Sequence, residues 1–352
     1  MKKTNLLALG FQEVEAFVAR LGWKRYRAKQ ILAWIYERHA AGFEEMTDLS
    51  KEDRLLLDSR AELSHLEIVT RLRSVDGTEK FLFRLKDGRE IESVLIPDEE
   101  RLTICISSQA GCTLDCTFCL TAQEGLKRNL KADEIVNQVL TIQSLLPEGK
   151  RVTNIVLMGM GEPLANLPQV TEAVIKMISP IGLGLSPRRV TISTAGLVPQ
   201  ILALWKGPVP VNLSISLNAT TNVLRDQIMP KINRLYPLEK LMSVCRSFPL
   251  PSRRRITFEY VLFSGINDSL EDAGRLIQLT KGIRCKINLI PYNPYPGSPY
   301  RRTPDDQMLK FQNLLLKARL TTTIRKSRGG DILAACGQLS GLSQDRLRMT
   351  PD

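Results

Sequence analysis

Apolar residues recur at helical spacing over the first sixty positions. Phe11, Val14, Phe17, Val18 and Leu21 mark one face, and Gly22 ends the run. Within Trp23–His39, the residues Ile31, Leu32, Ile35 and Tyr36 mark a second. From about residue 64 the period changes to two, in HLEIVTRLRS, TEKFLFRL and REIESVLIP. Asp76-Gly77 and Asp87-Gly88 separate these runs. Asp-Gly between alternating strands predicts tight hairpins in which both central residues take positive φ.

From residue 101 strand patterns alternate with helix patterns. Thr103–Ser108, Asn154–Met158, Arg189–Ser193, Val211–Leu217, Thr257–Phe263 and Lys286–Ile290 are the candidate strands. Helices are expected near 131–146, 167–178, 197–204, 237–247, 269–281 and 304–319. Six such units with right-handed crossovers predict an α/β fold whose parallel sheet curls into a full or partial barrel. Its functional groups should gather at the C-terminal strand ends. The expected organisation is a helical region at 1–62, a small antiparallel sheet at 63–98, a partial (βα)6 barrel at 99–320 and a tail at 321–352.

Composition narrows the function. The 352 residues are 43% apolar and 24% charged, which excludes global disorder. No window reaches the ~18 uninterrupted apolar residues of a membrane helix, and Gln12, Glu13 and Glu15 cut short the early apolar stretch, so a cytoplasmic protein is expected. Lysine and arginine total 49 against 37 acidic residues, a surplus of +12 that favours a polyanionic partner. Lys24, Arg25, Arg27 and Lys29 interleave with Trp23 and Tyr26, a mixture suited to RNA phosphates and bases, or equally to a solvated helix end. Arg188–Arg189, Arg253–Arg255, Arg301–Arg302 and Arg325–Arg328 are further candidates for phosphate contact, or plain surface clusters.

Seven cysteines in such a chain argue for metal, catalysis or burial. Cys112, Cys116 and Cys119 have C-x3-C-x2-C spacing. Zinc wants four protein ligands, and the two histidines, His39 and His65, lie far off in sequence. Three thiolates lacking a fourth partner suit a 4Fe–4S cluster with one open iron. A zinc knuckle with an unidentified fourth ligand is the alternative. The later strands end in Met158-Gly-Met-Gly161-Glu162-Pro163, Ser193-Thr-Ala-Gly196, Ser216-Leu217-Asn218 and Asn288-Leu-Ile-Pro-Tyr-Asn293. Each alone reads as a turn; their succession at strand ends points to one ligand pocket.

The C-x3-C-x2-C spacing resembles that of radical S-adenosylmethionine (SAM) enzymes. With GluMetThrAsp at 45–48, GlyMetGlyGluPro, LysIleAsnLeuIlePro and the tail from Arg325 to AlaAlaCys336GlyGln, the chain is similar to the RlmN/Cfr family of RNA adenine methyltransferases. The Arg325–Gly329 segment is closer to its C2-methylating members than to the C8-methylating Cfr branch. The resemblance implies a 4Fe–4S cluster on Cys112, Cys116 and Cys119, and SAM held by Gly161, Glu162, Ser193, Ser216, Leu217, Asn218 and Asn293. It further implies methylation of an adenosine in the peptidyl-transferase region of 23S rRNA and of the adenosine beside the tRNA anticodon. An electron donor such as flavodoxin or ferredoxin, a monomeric state and RNA binding by residues 1–62 belong to the same expectation. Carbon 2 of adenine is a poor nucleophile, so the family relays the methyl group through a thiol, which matches Cys336 here. Cys105 matches the thiol that frees the product through a transient disulfide, and Glu92 the acceptor of the ring proton. Glu90 competes with Glu92, and the sequence does not separate them. Asn218 replaces an expected histidine, and Lys231 interrupts a family-like run. The alternatives are a C8 methyltransferase and a zinc-stabilised RNA-binding protein without enzymatic activity.

Overall fold

The computed structural model describes residues 3–341. The last part of the expected 321–352 tail, residues 342–352, therefore lies outside the described residues. Three helices open the chain: α1 (Phe11–Arg20), α2 (Tyr26–Tyr36) and α3 (Lys51–Arg60). The apolar face read from the sequence is their packing face, with Val14, Phe17, Val18, Ile31, Leu32, Ile35 and Tyr36 all buried. Lys176, itself buried on a later helix, donates to the Leu7 carbonyl at 2.8 Å and ties this region to the rest.

One sheet of ten strands follows: β1 (Glu67–Arg73), β2 (Glu79–Arg84), β3 (Glu90–Asp98), β4 (Arg101–Cys105), β5 (Asn154–Leu157), β6 (Val190–Thr194), β7 (Asn212–Ser216), β8 (Ile256–Leu262), β9 (Cys285–Pro291) and β10 (Thr322–Ile324). Its spatial order is the chain order. β1 to β4 pair antiparallel, and β4 to β10 pair parallel. The expected small sheet is thus continuous with the barrel, because β4 serves both. β10 adds a seventh parallel strand to the six expected. Between the parallel strands run α4 (Leu120–Gln123), α5 (Ala132–Ser144), α6 (Leu167–Ile178), α7 (Val198–Lys206), α8 (Asn222–Ile228), α9 (Pro230–Leu235), α10 (Leu238–Ser247), α11 (Leu270–Thr280) and α12 (Asp305–Lys317). Of these, α4, α8 and α9 were not expected.

The hairpin turns differ from expectation. Only Gly77 and Gly88 take positive φ, at 84° and 81°, while Asp76 and Asp87 do not. In each turn the glycine N–H donates back three residues, to Ser74 and Leu85. The flanking pairs close as Ser74 N–H to Thr78 and Leu85 N–H to Arg89. These are three-residue loops, a type I turn followed by a left-handed glycine, and they need only one positive φ.

After β10 the chain crosses from one edge of the open sheet to the other. Gly329 N–H donates to Asp76 Oδ2 at 3.0 Å, and Asp331 accepts from Ser74 Oγ and Val75 N–H at the β1–β2 turn. The tail therefore spans the mouth of the partial barrel.

Candidate active site

Two adjoining cavities open at the C-terminal ends of the parallel strands. The smaller, about 160 Å³, is lined by Cys112, Cys116, Cys119, Gly161, Glu162, Ser193, Ser216, Asn218 and Asn293 among others. The larger, about 350 Å³, is lined by Cys105, Thr103, Val94 and the tail from Arg325 to Arg328. Cys336, Cys119, Arg325 and Asn293 line both. Cys336 therefore stands at the partition between them.

The three clustered cysteines sit on the loop between β4 and α4. Leu114 N–H points at Cys112 Sγ from 3.4 Å. Lys231, an unexplained interruption in the sequence, now has a role here. Its ammonium donates to the Thr113 carbonyl at 2.6 Å and its N–H to Asp115 Oδ1 at 3.0 Å, bracing the loop from outside. Burial pushes the Cys112 thiol up to about 12 and that of Cys116 well above its ordinary value. Three desolvated sulfurs side by side, with only the buried Arg225 guanidinium acting on Cys116 among the cations recorded there, are a donor set suited to a positively charged inorganic centre. Among the described residues no three His, Cys, Asp or Glu side chains converge as ligands of one ion do. Cys112, Cys116 and Cys119 line one cavity together, one thiolate short of the four protein ligands of a structural zinc, so the donor set fits a 4Fe–4S cluster with one open iron.

Glu162 is buried beside the cluster loop. Its Oε1 accepts from Leu164 N–H at 3.0 Å and its Oε2 from Ala195 N–H at 2.7 Å. Burial raises its carboxyl to about 7 against these two bonds. Ser193, Ser216 and Asn293 line the smaller cavity. Asn218 lines it too, in the left-handed region at φ 57°. Its Oδ1 is engaged by Val261 N–H at 2.9 Å and its Nδ2 lies 3.4 Å from Met229 Sδ, so it bridges β7 to β8. Leu217 is fully buried and lies outside the cavity lining; its N–H extends the β7–β8 ladder to the Glu259 carbonyl.

The structure brings Cys105 and Cys336 to one cavity. Burial pushes the Cys105 thiol up to about 12, with Cys336 adding to it. Arg325, expected as an RNA-phosphate contact or as part of a surface cluster, turns inward to line both cavities. Its nearest charged neighbours are Cys336, Glu259 and Cys105, and Cys336 raises its guanidinium despite burial. Glu92 lines neither cavity. It lies directly behind the tail, and its Oε2 accepts from Ser340 N–H at 2.9 Å. Glu90 pairs instead with Arg84 at 3.3 Å, on the other side of the strand. Glu124, which sequence reasoning missed, stands near Glu92; burial first and Glu92 second raise its carboxyl to about 7. Arg188–Arg189 and Arg253–Arg255 precede β6 and β8, at the end of the sheet remote from these cavities.

Residues 4–63 match the ribosomal RNA large subunit methyltransferase N-terminal domain, and residues 106–277 the radical SAM superfamily. A dual-specificity RNA methyltransferase RlmN from Geotalea uraniireducens is 51% identical over 97% of this chain and 98% of its own. The RlmN of Geobacter sulfurreducens is 52% identical over 96% of this chain and 92% of its own. The chain belongs to the RlmN family. A crystal structure of a radical SAM methyltransferase from Sphaerobacter thermophilus, 42% identical, superposes with a TM-score of 0.92 over 96% of this chain and all of that one. RlmN membership displaces the zinc-stabilised binding protein as a reading of the cysteine loop. It makes the chain a radical SAM RNA methyltransferase whose cofactors are a 4Fe–4S cluster and SAM. No described helix is long and apolar enough to cross a membrane.

Proposed function

We propose that this RlmN-family chain methylates carbon 2 of an adenosine in 23S rRNA and of the adenosine beside the tRNA anticodon. The supporting observation is the position of Cys336, at the wall shared by the cluster cavity and the cavity that holds Cys105. Cys112, Cys116 and Cys119 would hold the cluster, with Gly161, Glu162, Ser193, Ser216 and Asn293 around SAM. Cluster and SAM, when bound, would supply the radical chemistry that activates a methyl C–H bond. Cys336 takes a methyl group on its sulfur and presents that carbon to adenine in the larger cavity. Glu92 accepts the proton lost from the ring, and Cys105 attacks Cys336 Sγ to release the methylated base. The residues of the larger cavity exclude water from this exchange, with Arg325 facing both thiols. Residues 1–62 and the basic tail would contact RNA phosphates, and a small flavodoxin- or ferredoxin-like protein would supply electrons. We place this activity in the cytoplasm of a monomeric enzyme.

The test uses anaerobically prepared protein and RNA lacking the modification. Cys105→Ala should trap a covalent protein–RNA adduct that survives denaturing electrophoresis. Cys336→Ala should form neither adduct nor product while keeping its iron. Normal turnover by Cys105→Ala, or 8-methyladenosine as the product, would refute the reading.

A further inference from the structure

Lys80 lies on β2 with its side chain only 3% exposed, and nothing in the chemistry above uses it. Its ammonium sits 2.8 Å from Glu92 Oε1, and Glu92 is 1% exposed. The same ammonium donates to the Leu333 carbonyl at 3.2 Å. The other oxygen of Glu92 accepts from Ser340 N–H at 2.9 Å and faces Gly341 N–H at 3.4 Å. One buried ion pair thus grips the tail at Leu333 and again at Ser340–Gly341, and Cys336 lies on the loop between the two grips. We propose that Lys80 is a positioning residue: with Glu92 it forms a latch that holds the Cys336 loop closed over the two cavities.

The geometry favours this over a plain core ion pair. A buried pair gains little over an apolar pair of the same volume, so stability alone is a weak reason to bury one. What an apolar pair does not supply is a donor for the Leu333 carbonyl and an acceptor for the Ser340 and Gly341 N–H groups. Other contacts hold the middle of the loop: Leu120 N–H to the Gly337 carbonyl at 2.8 Å, Gln338 Nε2 to the Pro294 carbonyl at 2.7 Å, and Thr121 Oγ1 to the Leu339 carbonyl; Arg328, paired with Asp98 of β3 at 3.4 Å, and Asp331, at the β1–β2 turn, anchor the tail upstream of Leu333. Glu92 lines neither cavity and three donors already hold its carboxylate against the tail, so the tail has to move before that group can reach a base as proton acceptor. The latch therefore couples opening of the loop to the freeing of that base. This last consequence rests on the roles proposed above for Cys336 and Glu92.

The test compares Lys80→Met, Glu92→Met and the double variant, each as cluster-loaded protein. Each single change leaves one buried charge alone and should lower the melting temperature. The double change removes both charges at similar volume and should restore it. Amide exchange at Ser340 and Gly341, and alkylation of Cys336, should nonetheless stay faster than in the parent, by roughly ten- to a hundredfold, because a charged hydrogen-bond partner is gone. A pair that serves only the core predicts that the double variant regains tail protection together with its melting temperature; that result overturns the proposal. If the single variants do not fold, the double variant carries the test alone. Turnover on RNA separates the two readings. An open tail with normal methylation would refute Glu92 as proton acceptor and leave the latch in place.

Discussion

Gly161 offers a perturbation whose cost follows from the backbone. It has φ 100°, and a Cβ added there would lie 2.6 Å from Gln109 Cβ, 2.7 Å from its Cγ and 2.8 Å from its nitrogen. Gln109 has little room to yield. Its Oε1 accepts from Glu162 N–H at 2.9 Å and its Nε2 donates to Asn129 at 2.7 Å. Gly161→Ala therefore carries two costs. The left-handed backbone costs an alanine about 1–2 kcal/mol, and the steric intrusion adds about 1–3 kcal/mol. Gly184 supplies the control, with φ 63° and nothing within 4 Å of an added Cβ. Gly184→Ala should bear only the first cost. The difference should appear in urea unfolding as about 1–3 kcal/mol more loss for Gly161→Ala. Because Gly161 precedes Glu162, its displacement should also weaken SAM binding, measured by calorimetry, whereas Gly184→Ala should leave it unchanged. Equal unfolding curves and equal SAM affinities for the two variants would refute the steric reasoning.

Lys231→Met removes the ammonium that braces the cysteine loop at Thr113. Iron retention during challenge with a chelator should fall, while the far-ultraviolet spectrum stays that of the parent. Asp87 is held below the ordinary carboxylate range, chiefly by the Arg128 guanidinium at 2.6 Å. A depressed carboxyl contributes stability that is present above its unfolded value and lost as pH falls through its folded value. Asp87→Asn should therefore destabilise at neutral pH and progressively less in acid, as read from melting temperatures across pH; a deficit that is constant with pH would contradict the assignment.

The helices α1 and α2 and six of the barrel strands were legible because their apolar spacing has one period over many residues. β10 was not, since Thr322–Ile324 is too short to show a period. Helices α8 and α9 were missed for a similar reason, being seven and six residues long, with Met229 between them and Pro230 opening the second. Cys336 was marked by the resemblance of its AlaAlaCys336GlyGln segment, not by any periodicity, and it lies at the wall shared by the two cavities. Arg325 looked like one member of a surface cluster; it turns inward because its N–H continues the ladder from β10 to the Leu289 carbonyl. Lys80 gave no signal at all. On a strand with one wet face, a lysine between Glu79 and Phe81 belongs to the solvent. Here Phe81 and Phe83 fill the core side and the tail covers the other, so five of the six residues of β2 are buried.

The order of strands in the sheet has a consequence for synthesis. Each strand lies beside the one translated just before it, so every new strand meets an edge already in place and no long-range pairing has to wait. Assembly can proceed from the β1–β2 hairpin outward as the polypeptide leaves the ribosome. The segment bearing Cys336 emerges after all ten strands and bridges back to the first of them. Cys336 is thus enclosed only after the ten strands that build its chamber have been made.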